Sequence, residues 1–485
     1  LLKYGKTGII LDNKTALIGG FKLERLNTDL LIIGAGPGGY VAAIFAAKNG
    51  LDVTLVDAKK VGGTCLNEGC IPTKALVKSA ELYQEILHSE ENGIFIENPS
   101  FDMSKIIDKK NETKEKLVSG ITYLLDKYGV KTITGYASFL NNKEVKIGDS
   151  YNVEAKNIII ATGSKTKHLP ILGIDSKFVL DSEALLDNKV LPETLNIIGG
   201  GVIGMEFAFI YASLGVKVNV IEFLPNVLPG VDKEFSMRLM RYAKQLNMTI
   251  INNAAVTKIE EANDSCIVHY NQKGKEKTLE ANMILEAVGR IPKLDGLDLE
   301  NTSIEHTDKH GIKVDDYMKT NVDNVYAIGD VTNLWQLAHV ASHQGIVAVN
   351  NILGKQVKMD YSCVPAVIFT TPTIATVGMT EDMCKDKEIP YEVVKVPFAA
   401  NGKALIMGAE AGYLKLIRNP ETKVIIGGMI FGKEADNLIA TIAVAIKNKL
   451  TTHDIQETIF AHPTVPELIH EGAMGLDKIA IHFMD

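Results

Sequence analysis

Cys65 and Cys70 stand with four residues between them in the stretch Gly62-Gly-Thr-Cys-Leu-Asn-Glu-Gly-Cys-Ile-Pro-Thr-Lys74. A pair of that kind is either a redox centre or half of a metal site. Closing the two sulfurs inside a regular α-helix fails, because five residues of rise is roughly 7.5 Å, whereas bonded cysteines hold their Cα atoms about 4.4 to 6.8 Å apart. A bond between them needs a distorted turn, and Gly69, directly before Cys70, is the residue that can supply one. A disulfide in a short bent loop is of the reducible kind, so the pair reads as a dithiol that opens and closes. The zinc reading wants a second cysteine or histidine pair at ligand spacing, and Cys266, Cys363 and Cys384 are scattered singly.

A second group that could move protons lies in Phe460-Ala-His462-Pro-Thr-Val-Pro-Glu467. His462, with Pro463 fixing the turn and Glu467 five residues on, suits an acid/base imidazole and its orienting carboxylate. By itself the same stretch also reads as a surface loop. His339 and His343 are four apart but lack an intervening glutamate or a third ligand, so a packing or capping role is favoured over metal binding.

The elements that must position these groups are two copies of one unit. Asp29 to Ile33 reads as a buried strand, Gly34-Ala-Gly36-Pro-Gly-Gly39 as a glycine turn, Tyr40 to Lys48 as a helix, and Val53 to Val56 as a second strand ending in Asp57. The first glycine makes the tight turn, the second lets backbone approach a pyrophosphate, and the third allows close helix packing. Leu195 to Ile198, Gly199-Gly-Gly201-Val-Ile-Gly204, Met205 to Leu214, and Val216 to Ile221 ending in Glu222 repeat the pattern. In both copies the acid follows the first glycine by 23 residues (57 − 34 and 222 − 199), where a ribose 2′-hydroxyl donates to a carboxylate. Two dinucleotide sites are implied. Glu222, followed by the neutral Phe223-Leu-Pro-Asn, would repel a 2′-phosphate, so the second site is expected to take NAD.

With 485 residues, 46% hydrophobic, the chain can bury large cores and should divide into roughly three domains. Its net charge of −8 carries no basic stripe, and the run Lys105 to Lys116 is broken by Asp108, Glu112 and Glu115, which argues against nucleic acid. The longest apolar run, around Leu438 to Ile446, is interrupted by Thr441 and falls short of the roughly 18 residues of a membrane span. Five cysteines and no signal-peptide pattern over Leu1 to Gly20 point to a reducing compartment, hence the cytoplasm.

The chain begins with Leu rather than Met, as a fragment of a longer product would. Residues 1–27, with Gly5, Gly8, Gly19 and Gly20 between short apolar runs, suggest a strand or two or an ordered linker of no assigned role. Ala75 to Gly129 reads as long polar-faced helices and Lys131 to Val153 as short strands. Asn157 to Gly163 and Met283 to Gly289, the latter followed by Arg290, look like crossings between domains. Asn324 to Asp330 is a strand delivering an acid at its carboxyl end, where ligands sit in open α/β sheets, although a helix cap is the alternative. Strands at Val367–Phe369, Tyr391–Val396, Gly412–Arg418 and Val424–Met429, then a helix around Ala440 to Lys447, complete an α+β module.

Two nucleotide folds, the Cys65/Cys70 pair and His462-Pro-Thr-x2-Glu467, in this order, resemble the pyridine nucleotide-disulfide oxidoreductases from about Asp29 onward. The resemblance implies an α/β fold with two Rossmann-like dinucleotide-binding domains and a C-terminal α+β dimerisation domain. It implies FAD bound by residues 28–169 and 296–360, NAD bound by residues 170–295, and dimerisation through residues 361–485. By resemblance FAD is held at Gly34, Gly36, Gly39, Asp57, Lys74, Gly163, Asp330 and Ala338, and NAD at Gly199, Gly201, Gly204, Glu206, Glu222 and Gly289. Lys74 and Glu206 would pair beside the cofactors, and Gln344 departs from the glutamate found in many relatives.

The implied activity is oxidation of a protein-bound dihydrolipoyl dithiol with reduction of NAD, in a 2-oxo acid dehydrogenase or related complex. Cys65 would be the interchange thiol, Cys70 the thiol beside the flavin, and His462, held by Glu467 and contributed across a homodimer interface, the base. A lipoyl domain of an acyltransferase or a similar carrier is then the protein partner. The alternatives are an NAD(P)H-dependent disulfide reductase of the glutathione reductase type and a non-catalytic flavoprotein scaffold that binds nucleotides.

Overall fold

The computed structural model describes residues 15–18 and 21–484. Gly5, Gly8, Gly19 and Gly20 lie outside them. The chain divides into two compact units, one of residues 1–67, 115–165 and 291–359, the other of residues 68–114, 166–290 and 360–485. The helical segment 68–114, expected within the first nucleotide-binding domain, packs in the second unit. The two expected crossings fall at the joins, the first unit breaking off at Lys165 and the second at Arg290.

In the first unit the strand Phe21–Ile33 lies between Val53–Asp57 and Tyr151–Ile160, all parallel, with Lys131–Thr134 beyond Val53–Asp57 and Val325–Ala327 beside Tyr151–Ile160. Strands buried on both faces need continuous apolar runs, and Leu30, Leu31 and Ile32 are wholly buried. Thr15–Ile18 pairs antiparallel with the start of Phe21–Ile33, so that strand begins before the expected boundary at residue 28. Ala137–Phe139 and Glu144–Ile147 continue the sheet as an antiparallel meander leading into Tyr151–Ile160.

The second unit repeats this plan. Thr194–Ile198 lies between Lys217–Ile221 and Met283–Glu286, flanked by Met248–Ile251 and Val179–Leu180, all parallel. The meander has become a separate three-stranded sheet, Ala254–Glu261, Cys266–Gln272 and Lys275–Ala281. The duplication read from the two glycine turns therefore extends to the order of four strands; the fifth differs, Val325–Ala327 coming last in its unit and Val179–Leu180 first.

Helices Cys70–Leu87 and Met103–Lys127 are the long helices expected between the nucleotide folds. The first packs on Val202–Ser213 in a core holding Leu76, Met205, Phe207 and Tyr211. The last module is an antiparallel sheet in the order Ala366–Ile368, Ile374–Gly378, Ile425–Phe431, Tyr413–Arg418, Glu392–Pro397. Helices Ala435–Lys447 and Glu467–Leu476 bury Leu438, Ile442, Leu468 and Ile469 against it. No described helix is long and apolar enough to cross a membrane.

Candidate functional site

In the first unit the strand Phe21–Ile33 feeds Gly34, whose φ of 108° is strained for any residue with a side chain. A Cβ on Gly34 would also meet the Ala161 carbonyl oxygen at 2.2 Å, and one on Gly39 the Gly34 oxygen at 1.8 Å. Gly36 is different. It caps the helix Pro37–Lys48 with ordinary angles, φ −68° and ψ −176°, and the nearest atom to a Cβ there is the Gly63 Cα at 3.9 Å. The second unit repeats all three environments: Gly199 at φ 107°, Gly204 with the Gly199 oxygen 2.0 Å from its Cβ position, and Gly201 with nothing within 4 Å.

Neither packing nor backbone strain explains glycine at Gly36 and Gly201, whereas close approach of a ligand does. Both helices start without a side-chain cap and without an acidic residue in the first turn. Their first amides are left for an anion. The residues therefore fit a dinucleotide in each unit.

The two acids also behave alike. Asp57 accepts the Ala35 N–H at 2.6 Å and the Lys59 N–H at 2.8 Å. Glu222 accepts the Gly200 N–H at 2.6 Å and the Leu224 N–H at 2.7 Å. In each copy the carboxylate binds the residue after the first turn glycine and the residue two beyond itself, which anchors it as an acceptor beside the turn.

Asp330 sits in the 3₁₀ turn Gly329–Thr332, directly after the strand Val325–Ala327, and accepts the Ser164 hydroxyl at 2.6 Å. Ile328, not Asp330, occupies the cap position of that turn, so the helix-cap alternative does not describe it. Gly163, at φ 73°, accepts the Lys293 N–H at 3.0 Å. Ala338 is the first residue of the helix Ala338–Ile352, where backbone amides lack intrahelical partners. Gln344, fully buried, accepts the Gly329 N–H at 2.7 Å; a neutral amide serves as acceptor without burying a charge.

Cys65 belongs to the short helix Gly63–Asn67 of the first unit. That helix is pinned to the first dinucleotide turn: Gly62 N–H donates to the Ala35 carbonyl at 2.8 Å, and a Cβ on Gly63 would meet the Gly36 Cα at 2.6 Å. Tyr40 was not singled out from the sequence. Burial and, after it, Cys65 push its phenol above the ordinary value. Its only sequence signal is its position right after Gly39.

Cys70 opens the helix Cys70–Leu87 in the second unit and is exposed. Gly69 before it has φ −151° and ψ −108°, so the helix that carries Cys65 does not continue into it. A helix N-terminus favours a thiolate. One turn on, Lys74 Nζ lies 2.8 Å from Glu206 Oε2 and 3.0 Å from Oε1. Glu206, buried in the helix that leaves the second glycine turn, also accepts the Phe369 N–H at 3.0 Å, and the Lys74 ammonium stands 4.7 Å from the centre of the Phe369 ring. Phe369 is a further residue that sequence spacing did not reveal. Gly289, at φ 106°, follows the strand Met283–Glu286 and accepts the Lys167 N–H at 3.1 Å.

His462 Nδ1 lies 3.0 Å from Glu467 Oε1, and Glu467 Oε2 accepts the Thr464 N–H at 2.8 Å. The peptide bond between His462 and Pro463 is cis. Glu467 is the first residue of the helix Glu467–Leu476. Burial raises its carboxyl, but the Thr464 amide and the His462 ring outweigh that and hold it below the ordinary value. With Nδ1 turned to the carboxylate, Nε2 of the largely exposed ring remains for proton transfer. Among the described residues no group of three or more His, Cys, Asp or Glu could hold a metal ion.

Residues 28–345 match the family model for pyridine nucleotide-disulphide oxidoreductases, and residues 364–473 match that family's dimerisation domain. The chain is 40% identical over 472 residues to a dihydrolipoyl dehydrogenase of Bacillus subtilis, covering 96% of this chain and all of the relative. It is 40% identical over 471 residues to the dihydrolipoyl dehydrogenase of Geobacillus stearothermophilus, covering 96% and 99%. Among solved structures, LpdA from Mycobacterium tuberculosis aligns with a TM-score of 0.88 at 28% identity, covering 93% of this chain and 99% of its own. FAD and NAD are the cofactors of these enzymes. With both nucleotide folds present and 96% of its length aligned with a relative, this chain belongs to the pyridine nucleotide-disulphide oxidoreductase family.

Proposed function

We propose that the chain is a dihydrolipoyl dehydrogenase: it oxidises a protein-bound dihydrolipoyl dithiol to the cyclic disulfide and reduces NAD. The observation that carries this reading is that each cysteine sits on an element tied to a dinucleotide turn. Cys65 is on the helix pinned to Gly36, and Cys70 leads the helix that pairs through Lys74 with Glu206, on the helix leaving Gly201. A metal-binding or purely structural pair would have no reason to be fastened in this way.

In the oxidised enzyme Cys65 and Cys70 form a disulfide. His462 Nε2 takes the proton of one substrate thiol, and the thiolate attacks Cys65 Sγ, breaking the Cys65–Cys70 bond and releasing Cys70 as a thiolate. The second substrate thiol then attacks the substrate sulfur of the mixed disulfide. Cys65 leaves and is protonated, and the substrate departs as its cyclic disulfide, two electrons poorer. Glu467 keeps the imidazole in the tautomer that presents Nε2 and stabilises its cation. FAD, held by the first glycine turn and Asp57, would supply the two-electron acceptor for the reduced Cys65/Cys70 pair, and NAD, held by the second turn and Glu222, would supply the final hydride acceptor.

In this reading residues 28–169 with 296–360 serve FAD, 170–295 serve NAD, and 361–485 form the dimer. Gly34, Gly36, Gly39, Asp57, Lys74, Gly163, Asp330 and Ala338 line the FAD side; Gly199, Gly201, Gly204, Glu206, Glu222 and Gly289 line the NAD side. The dimerisation-domain match supports a homodimer. The enzyme works in the cytoplasm on the lipoyl domain of an acyltransferase or a similar carrier within a 2-oxo acid dehydrogenase complex. Steady-state NADH formation from dihydrolipoamide tests the activity. Cys65→Ser should abolish it while FAD stays bound; full turnover in that variant, or none in the native protein, refutes the reading.

A further inference from the structure

The helix that begins at Glu467 carries a second carboxylate one turn on, at Glu471. Glu471 is only 8% exposed, and its hydrogen bonds all come from two residues that follow the helix. His482 Nδ1 lies 2.8 Å from Oε1, and the Ile481 and His482 backbone N–H groups each donate to Oε2 at 3.2 Å. Two histidine–glutamate pairs of the same kind therefore stand one turn apart: His462 with Glu467, and His482 with Glu471.

Residues four apart on a helix are neighbours, and like charges there repel. A helical side chain also leans back over the preceding turn, which brings Glu471 toward Glu467. Unless something offsets it, this repulsion would push the Glu467 carboxylate away from its place beside His462. His482 is the group that offsets it: its ring meets Glu471 Oε1 at 2.8 Å and its amide, with that of Ile481, fills Oε2, so Glu471 is tied to its own donors, and both carboxyls, which burial raises, are held below the ordinary value. Without His482, Glu471 would keep only two backbone donors and stand as a nearly buried anion beside a second one.

We propose that Glu471 and His482 are positioning residues for the proton-transferring pair, setting the end of the Glu467–Leu476 helix so that Glu467 meets His462 Nδ1. This rests on the reading given under Proposed function. Neither residue exchanges a proton with substrate. They act through Glu467.

The test compares His482→Ala and His482→Asn in the FAD-loaded, full-length protein. Asparagine keeps a side-chain N–H donor for Glu471, and alanine does not. His482→Ala should lower dihydrolipoamide oxidation about ten- to hundredfold, the range for a catalytic group displaced by about an ångström. NADH oxidation by an artificial dye, which bypasses the dithiol step, should be unchanged. His482→Asn should restore most of the loss. Equal dihydrolipoamide rates in the alanine variant and the native protein overturn the proposal, as does a parallel fall in dye reduction or an asparagine variant no better than alanine. A native protein with no dihydrolipoamide activity overturns the functional reading as well, so the two failures are told apart by the native control.

Discussion

Lys74 Nζ and Glu206 Oε2 lie 2.8 Å apart, joining the helix that Cys70 opens to the helix that leaves the second glycine turn. Glu206 is 4% exposed and accepts the Phe369 N–H as well. Removing its carboxylate would leave a half-buried ammonium and a backbone donor without their acceptor. Breaking a buried pair costs about 3 to 5 kcal/mol, and because the Lys74 side chain is 32% exposed, the lower end applies. Glu206→Ala should lower stability in urea denaturation by about that amount, and Glu206→Gln, which keeps an acceptor for Phe369, by less. Equal losses would mean that the charge of Glu206 has no separate role.

His462→Gln should slow dihydrolipoamide oxidation by about two orders of magnitude, the range for loss of a positioned acid/base group. NADH oxidation by an artificial dye should survive. Equal loss of both activities would instead indicate damage to the fold.

Glu467 adds a pH dependence to the same region. Its folded-state carboxyl is held below the ordinary value by the Thr464 amide and the His462 ring, against burial that raises it. A carboxyl lowered on folding contributes stability that is complete above its unfolded-state value and is lost as pH falls through the folded-state value. Glu467→Gln should therefore narrow the stability gap to the native protein as pH drops below the ordinary carboxylate range. A gap constant from neutral pH into acid would contradict this.

The Glu222 carboxylate, anchored by the Gly200 and Leu224 amides, suits a free ribose and repels a 2′-phosphate. Steady-state kinetics should show NADH preferred over NADPH, and Glu222→Ala should shrink that preference. A native preference for NADPH would refute the assignment.

The second and third signature glycines of one motif, Gly201 and Gly204, should fail differently. A Cβ on Gly204 would meet the Gly199 carbonyl oxygen at 2.0 Å, while one on Gly201 would meet nothing within 4 Å. Gly204→Ala should lower the melting temperature. Gly201→Ala should leave it unchanged in the NAD-free protein and raise KM for NADH. Unchanged KM in Gly201→Ala would remove the case for a dinucleotide at that turn.

Both nucleotide folds were legible because strand, glycine turn, helix and terminal acid are local signals, written within about thirty residues each and present twice. Element ends were less so. The helix expected around Ala440 starts at Ala435, and the strand expected from Asp29 starts at Phe21, since pairing and packing extend an element past where its own residues advertise it. Gln344 looked like a departure in the sequence; its role as acceptor for Gly329 depends on two segments brought together only by folding.

The sequence alone determined the chemistry that is available: two thiols at a reducible spacing, an imidazole with a carboxylate five residues on, and two turns built for pyrophosphate. These depend on residue type and short-range geometry, which the chain carries wherever it goes. Lys74 meets Glu206 as the resemblance implied, but only the tertiary structure decided the other meetings over long separations: Lys74 and Glu206 with Phe369, Ser164 with Asp330, and the Cys65 helix with Gly36. Such meetings follow from burying apolar faces against one another, a collective outcome of the whole core that no single segment encodes.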